Sequence, residues 1–423
     1  MEKKKILCLF DYMATTGFAT VSQNIVPRIK KHFGENLELH ICSINYFGDT
    51  IYEEDGTIIF SAIKSAPKKD DFGRFGFLKI LKDSEEYDGI FIIQDLGVIL
   101  PIIEILKTIK EEKKRENKRN FKSIFYFPVD CSLIRKQVEK LEFFDTLITY
   151  TEFGRNEVLK LRPELKGKLK VIPHGTDTKN FHPIDLDEVA NFRKEYFGAN
   201  ADKFIIMNLN RNQPRKDIPN TIFGFIEAKK NWHKDSPKPF LYLHCNPTDP
   251  MGHDLRAVLL QTDLVEWEDY MFPSKEEENH GSPLEKLNKI YNSADLYVTT
   301  TLGEGWGLGF TEASATRCPI ICPYNSSFME MSGNGDRAFI LEESVPFVNS
   351  IDNIVRQQTN YLEVSESILH VSGDLLGKNE DLNGLENSTN RIDKAFEWAM
   401  KLKWDEVCKS WYEYFKTTFG VNK

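Results

Sequence analysis

The sequence predicts an α/β protein built from two doubly wound domains, each a largely parallel sheet covered by helices. Three observations carry this expectation: two successive series of short apolar runs, polar segments of helical length between the runs, and a turn-rich stretch that divides the series. The first series occupies residues 6–10, 37–44, 89–94, 123–127, 146–150 and 170–172, and the second 204–209, 240–244, 296–299, 319–322 and 338–341. Short runs rich in Ile, Val, Phe and Tyr read as strands buried on both faces, the pattern of parallel sheets. Residues 22–33, 102–119, 221–230 and 283–293 read as helices between them, and strand alternating with helix implies right-handed crossovers. Residues 173–187, rich in Pro, Gly, Thr and Asp, read as the linker. The expected domains are 1–185 and 186–402, with a terminal helix over 403–419 returning to the first.

A chain of 423 residues with 41% hydrophobic and 12% aromatic residues has material for two or three packed cores. Its formal net charge of -9 argues against a nucleic-acid coat or a binder of anionic membranes. No stretch approaches the roughly 20 apolar residues that span a bilayer. The seven cysteines, odd in number and mostly set in apolar runs, fit reduced core thiols and a cytoplasmic location. Residues 365–390 are polar, with Gly373, Gly377 and Gly384, and read as an irregular surface connection. Residues 395–419 read as one helical pattern whose aromatic stripe packs a core, and the basic run 107–122 as a solvated helix and loop.

Ligands of open parallel sheets bind outside the carboxyl ends of the strands, so the residues after each run are the candidates. After 296–299 the chain carries Gly303, Gly305, Gly307 and Gly309 within seven positions, with Glu304, Trp306 and Leu308 among them, and then an Ala-rich helical segment after Thr311. A glycine loop before a helix N-terminus suits an anion, because free N–H groups and the helix dipole both favour phosphate. Glu304 and Glu312 bracket the loop with acceptors for the hydroxyls of a ribose or a sugar ring. Glu312, read as lying in the first helical turn, equally suits simple complementation of the dipole. After 204–209 come Asn210, Arg211 and Lys216. Two cations there can clamp a diphosphate and stabilise its charge as it leaves, or merely solubilise a loop. Gly17, after the first strand, can let a backbone approach a ligand or be a plain loop glycine. Asp130 ends a buried strand at the ligand edge, or caps a helix over 132–142. No zinc, paired-acid or nucleophile-elbow motif is present, so neither a metal site nor a cofactor is expected.

Together these residues resemble the retaining family-4 glycosyltransferases of the GT-B fold, whose two Rossmann-like domains face each other across a cleft. The resemblance covers most of residues 1–345 and the last helix, and is strongest over 171–330. Pro173-His174-Gly175-Thr176-Asp177 and Phe181-His182-Pro183 look like the family's interdomain segment. Arg211 and Lys216 match its diphosphate-binding cations, Glu304 and Glu312 its paired glutamates, and Gly305, Trp306, Gly307 and Leu308 its backbone contacts to the donor. The resemblance implies a UDP- or GDP-linked sugar donor, a first glutamate on the transferred sugar and a second on the ribose. It also implies a leaving diphosphate that helps deprotonate the acceptor; with no acidic pair placed to hold a divalent ion, Arg211 and Lys216 are expected to supply the charge without a metal. The chain departs from the family in having Val129-Asp130-Cys131 where a histidine usually stands, and Asn325-Ser326-Ser327 in place of Gly-Gly. The acceptor is left open among glycan, lipid-linked glycan and protein. The wording of residues 210–216, similar to that of viral and phage enzymes, adds modified DNA bases. The rival readings are an epimerase or phosphorylase on the same architecture, or a catalytically idle glycan-binding module.

Overall fold

The computed structural model describes residues 3–64, 70–84, 86–348, 353–379 and 384–423. The chain divides into two compact units, residues 1–175 with 404–423, and residues 176–403.

The first unit is built on β1 (Lys4–Asp11), β2 (Leu37–Ile44), β3 (Ile51–Tyr52), β4 (Ile58–Ser61), β5 (Gly89–Ile93), β6 (Lys122–Phe127), β7 (Thr146–Thr149) and β8 (Leu169–Val171). Their order is β3-β4-β2-β1-β5-β6-β7-β8, parallel except for β3 against β4. The apolar runs become strands because both sheet faces are covered: Ile6 to Phe10 have no exposed surface. Each such side chain contributes roughly 1.5–3 kcal/mol relative to remaining in water. The terminal helix Trp404–Phe419 belongs to this unit. Trp411 and Phe415 of that helix pack on Phe91 of β5, and Trp411 also meets Tyr126 of β6.

The second unit is built on β9 (Phe204–Asn208), β10 (Pro239–Leu243), β11 (Tyr270–Met271), β12 (Leu296–Val298), β13 (Ile320–Pro323) and β14 (Phe339–Leu341), all parallel, in the order β11-β10-β9-β12-β13-β14. An antiparallel hairpin, β15 (Ser344–Val348) with β16 (Val355–Thr359), is separate from that sheet. Chain order runs outward from β9 to β11 and returns to β12 on the other side of β9. The crevice between the ends of β9 and β12 is therefore the topological switch point, where ligands of such sheets bind.

Several expectations are corrected. Residues 365–390 are not irregular: they fall largely in the helices Tyr361–Leu375 and Gly384–Lys401, with 380–383 outside the described residues. Ile368 and Val371 are buried there, and so are the polar Ser365, Ser372, Asp374 and Ser388; Ser372 donates to the Ile368 carbonyl and Ser388 to Asp374. The aromatic stripe over 395–419 is split between the helices Gly384–Lys401 and Trp404–Phe419. Trp398 packs on Trp306 in the second unit, and Trp411 on Phe91 in the first. No α-helix covers 132–142, where the chain makes the 3-10 turn Arg135–Gln137 and begins a second, Leu141–Phe143, so the helix that Asp130 is expected to cap is not formed. Among the described residues, no helix is long and apolar enough to cross a membrane.

Candidate active site

The switch point is assembled by two loops stapled together. After β9 the chain makes one 3-10 turn, Pro214–Lys216, with Pro214 presetting the backbone. It reverses at Asp217, whose φ is +47°, and enters the helix Ile218–Lys230. After β12 come Thr299, Thr300 and Thr301, all buried. Thr300 Oγ1 donates to the Asp217 carbonyl at 2.8 Å, Thr301 Oγ1 to the Arg215 carbonyl at 3.1 Å, and the Leu302 N–H to the same carbonyl at 2.8 Å. These bonds fix the register that brings Lys216 to Glu304.

Glu304 is the electrostatic centre. Its carboxylate accepts from Lys216 Nζ through Oε1 and lies 3.2 Å from Arg215 Nη1 through Oε2. Arg215 also donates to the Gly303 carbonyl at 2.5 Å. Burial alone pushes the Glu304 carboxyl up, but Lys216 and Arg215 outweigh it and hold the group well below 4.5. A mostly buried anion on two cations is thus ionised at every physiological pH.

The loop beyond it is shaped by Gly307, whose φ of +101° is open to glycine and whose absent Cβ would meet the Phe328 ring at 2.6 Å. Gly307 caps the helix Leu308–Ala315, which begins earlier than expected. Glu312 consequently lies beyond the first turn, so complementation of the helix dipole no longer accounts for it. The N–H groups of Leu308 and Gly309 head this helix and have no partner within it. Trp306 is buried and stacks on Trp398.

Asn325-Ser326-Ser327 braces the same loop. Ser326 Oγ accepts from the Glu304 N–H at 2.8 Å, Ser327 Oγ donates to the Trp306 carbonyl at 2.8 Å, and Asn325 Nδ2 donates to the Thr301 carbonyl at 3.2 Å. Ser326 holds φ at +44°, a conformation that costs a serine about 1 kcal/mol or more. Ser326→Gly relieves that strain while deleting the bond to Glu304. The strain relieved and the buried Glu304 N–H left unpaired offset each other, so the melting temperature should move little, yet turnover should drop roughly two- to tenfold, the worth of one neutral hydrogen bond. Paired melting and turnover measurements check this, and unchanged turnover would contradict the bracing role.

Glu312 is positioned from the other side. Tyr291 OH donates to its Oε2 at 2.8 Å, and the Tyr291 ring meets Phe181 edge-on at 5.8 Å. The segment around Phe181 is itself fastened: the His182 N–H donates to Asn288 Oδ1 and the Ile184 N–H to Asn292 Oδ1. Burial raises the Glu312 pKa to about 7, with Tyr291 opposing and Asp177 adding to the rise. Burial thus favours the protonated form of Glu312 in the helix, whereas the two cations favour the ionised form of Glu304 in the loop before it.

Arg211 is not part of the Glu304 cluster. Its side chain is 58% exposed and its Nε donates to Asp249 Oδ2 at 2.8 Å, so the cation that joins Lys216 at Glu304 is Arg215. Asn210 Nδ2 is tied to Asn208 Oδ1 at 2.9 Å and Thr299 Oγ1 at 3.3 Å. Gly17 is the exposed first residue of the helix Gly17–Phe33, behind the N-cap Thr16, and not a loop residue. Gly17 and Asp130, half-buried after β6, both belong to the first unit. Sequence reasoning missed Arg215, Tyr291, Asp249 and Ser326 as members of this site. Arg215 adjoins Lys216 and Ser326 marks a departure from Gly-Gly, whereas nothing local signals Tyr291 or Asp249.

The architecture is that of the GT-B fold, α/β with two Rossmann-like domains, as the likeness to solved structures shows. Sucrose-phosphate synthase from Thermosynechococcus elongatus superposes with a TM-score of 0.67 at 14% identity, covering 100% of both chains. HepE from Anabaena in complex with UDP-glucose gives 0.65 at 13% identity, covering 98% of this chain and 99% of the other. A glycosyltransferase from Rickettsia africae gives 0.67 at 12% identity, again covering 100% of both. In sequence, a probable sucrose-phosphate synthase from Thermosipho melanesiensis is 26% identical over 245 residues, 55% of this chain and 52% of that protein. An alpha-monoglucosyldiacylglycerol synthase from Acholeplasma laidlawii is 21% identical over 200 residues, 46% of each. The chain thus spans about half the length of the curated relatives it matches. No protein-family model matches it.

Proposed function

We propose that this chain is a retaining, metal-independent glycosyltransferase of the family-4 type, moving a sugar from a UDP- or GDP-linked donor to an acceptor hydroxyl. The observation that carries the reading is the ionised, mostly buried Glu304, held by Lys216 and Arg215 at the switch point beside a glycine loop and a helix N-terminus. Curated relatives named as synthases of sucrose phosphate and of a glucosyl lipid support it.

In this reading Glu312 accepts from the ribose hydroxyls. The N–H groups of Gly307 and Leu308, with Lys216 and Arg211, hold the diphosphate, and Glu304 accepts from a hydroxyl of the transferring sugar. The bond from the anomeric carbon to the diphosphate oxygen breaks while the acceptor oxygen bonds that carbon on the same face. The acceptor's proton passes to the departing diphosphate. The protein contributes orientation and stabilisation of the leaving charge. Asp130 is proposed as a further catalytic residue and Gly17 as a further donor-binding residue. The acceptor is a hydroxyl of a glycan, lipid-linked glycan or protein, with modified DNA disfavoured by the net charge of -9. Seven buried free cysteines suit the cytoplasm.

Release of free nucleotide from a panel of UDP- and GDP-sugars, with and without candidate acceptors, tests the activity. Turnover of one donor, rising with an acceptor, is the expected result; an idle module shows none, and an epimerase converts the donor without any acceptor. Because cationic side chains supply the charge on the diphosphate, activity should persist in excess EDTA. Complete loss with EDTA and recovery with manganese would contradict metal independence.

A further inference from the structure

Resting on that reading of the site, we propose that Asp249 is a positioning residue for Arg211, presenting its guanidinium to the donor's terminal phosphate. Asp249 follows β10, the strand beside β9, and Arg211 follows β9. Their contact runs through Arg211 Nε to Asp249 Oδ2 at 2.8 Å. Arg211 makes no other side-chain hydrogen bond or ion pair with the described residues, so both Nη groups are left for a ligand. The carboxylate is only 10% exposed, against 58% for the arginine. The acid is therefore the anchored partner and the base the one facing solvent.

The loop is built to hold the carboxylate still. Asn212, next to Arg211 and fully buried, donates from Nδ2 to the Asn246 carbonyl at 3.2 Å and the His253 carbonyl at 2.6 Å, and accepts the His253 N–H on Oδ1 at 3.1 Å. Gly252 lies so close that a Cβ would stand 2.2 Å from the Asn212 carbonyl oxygen. Asp249 Oδ1 accepts the Met251 N–H at 2.9 Å, and its carbonyl accepts the Gly252 N–H at 2.8 Å. With Oδ1 occupied and the loop clamped, Oδ2 is aimed at Nε. Arg211 holds Asp249 below the ordinary carboxylate range against the opposing effect of burial. An arginine already held through Nε gives up less rotamer freedom when its fork closes on a phosphate.

The alternative is that Asp249 competes with the phosphate for Arg211, and the two have opposite signs. The test titrates a nucleoside diphosphate and the matching monophosphate, UDP and UMP or GDP and GMP, into wild type, Asp249→Ala, Arg211→Lys and the double variant. A positioning role predicts that Asp249→Ala weakens the diphosphate roughly three- to tenfold and leaves the monophosphate unchanged, since only the second phosphate meets the fork. Arg211→Lys, which has no Nε, should lose the same discrimination, and Asp249→Ala should add nothing to it. Equal or tighter diphosphate binding in Asp249→Ala overturns the proposal, as does an equal loss for both ligands. If Asp249→Ala fails to fold, unchanged discrimination in Arg211→Lys overturns it. Failure of wild type to bind any nucleoside diphosphate overturns the reading of the site itself.

Discussion

Glu304→Ala is expected to lower turnover roughly ten- to a hundredfold without weakening nucleotide binding, and to destabilise the fold. The turnover loss follows from removing a charged acceptor that meets only the transferring sugar. The stability loss follows from what is removed: the nearly buried carboxylate that pairs with Lys216, 14% exposed, and Arg215, 26% exposed. Breaking a buried ion pair by removing one partner costs about 3–5 kcal/mol, a fall in melting temperature on the order of 10 °C. Nucleotide affinity should hold or tighten, because Lys216 is released towards the diphosphate. Lys216→Met in the Glu304→Ala background should recover part of the lost stability. The pH dependence has a definite sign. The folded carboxyl sits below its ordinary 4.5, so its stabilisation is fully present above that value and drains as the pH falls below it. Glu304→Ala should lack that component of acid unfolding. Melting curves from pH 3 to 8, beside donor kinetics, check both; an unchanged melting temperature would contradict the buried ion pair.

Glu312→Gln is expected to weaken nucleotide binding about ten- to a hundredfold at pH 8, the worth of charge-assisted bonds to the ribose hydroxyls. The wild-type affinity should itself fall as the pH drops below about 7, by up to roughly tenfold per unit, because the acceptor is then protonated before ligand arrives. The variant should show no such slope. Stability moves the opposite way. A carboxyl whose folded pKa is raised from 4.5 to about 7 costs stability as the pH climbs through that window. Above pH 7 the glutamine variant should therefore be the more stable protein, by on the order of 1–3 kcal/mol. Calorimetric titrations at pH 6 and 8 with parallel melting curves test this. Equal affinity in variant and wild type would remove Glu312 from the site.

The eleven strands anticipated from apolar runs are present, because buried parallel strands must be apolar on both faces and so stand out locally. Of those missed, β4 carries the short apolar run Ile58-Ile59-Phe60 and was simply overlooked, and the rest give no such signal. β3 and β11 are two residues each, and the β15–β16 hairpin exposes Val345, Val348 and Val355 in place of burying them. Glu304, Lys216 and the glycine loop were legible because strand ends and chemistry coincide there. Pairing was not legible: the 3-10 turn Pro214–Lys216 carries Arg215 as well as Lys216 to Glu304, and spacing along a loop does not reveal which way its side chains turn. The left-handed Gly307 moved the helix start to Leu308 and, with it, the meaning of Glu312. Tyr291 and Asp249 reach the site only through tertiary packing.

The most direct measurement is a crystal structure of the protein grown with its donor nucleotide. The account predicts ribose hydroxyls within hydrogen-bond distance of Glu312, a diphosphate between the helix head at Leu308 and the side chains of Lys216 and Arg211, and Arg211 still held by Asp249. A nucleotide seated away from the ends of β9 and β12, or with its ribose out of reach of Glu312, would contradict it.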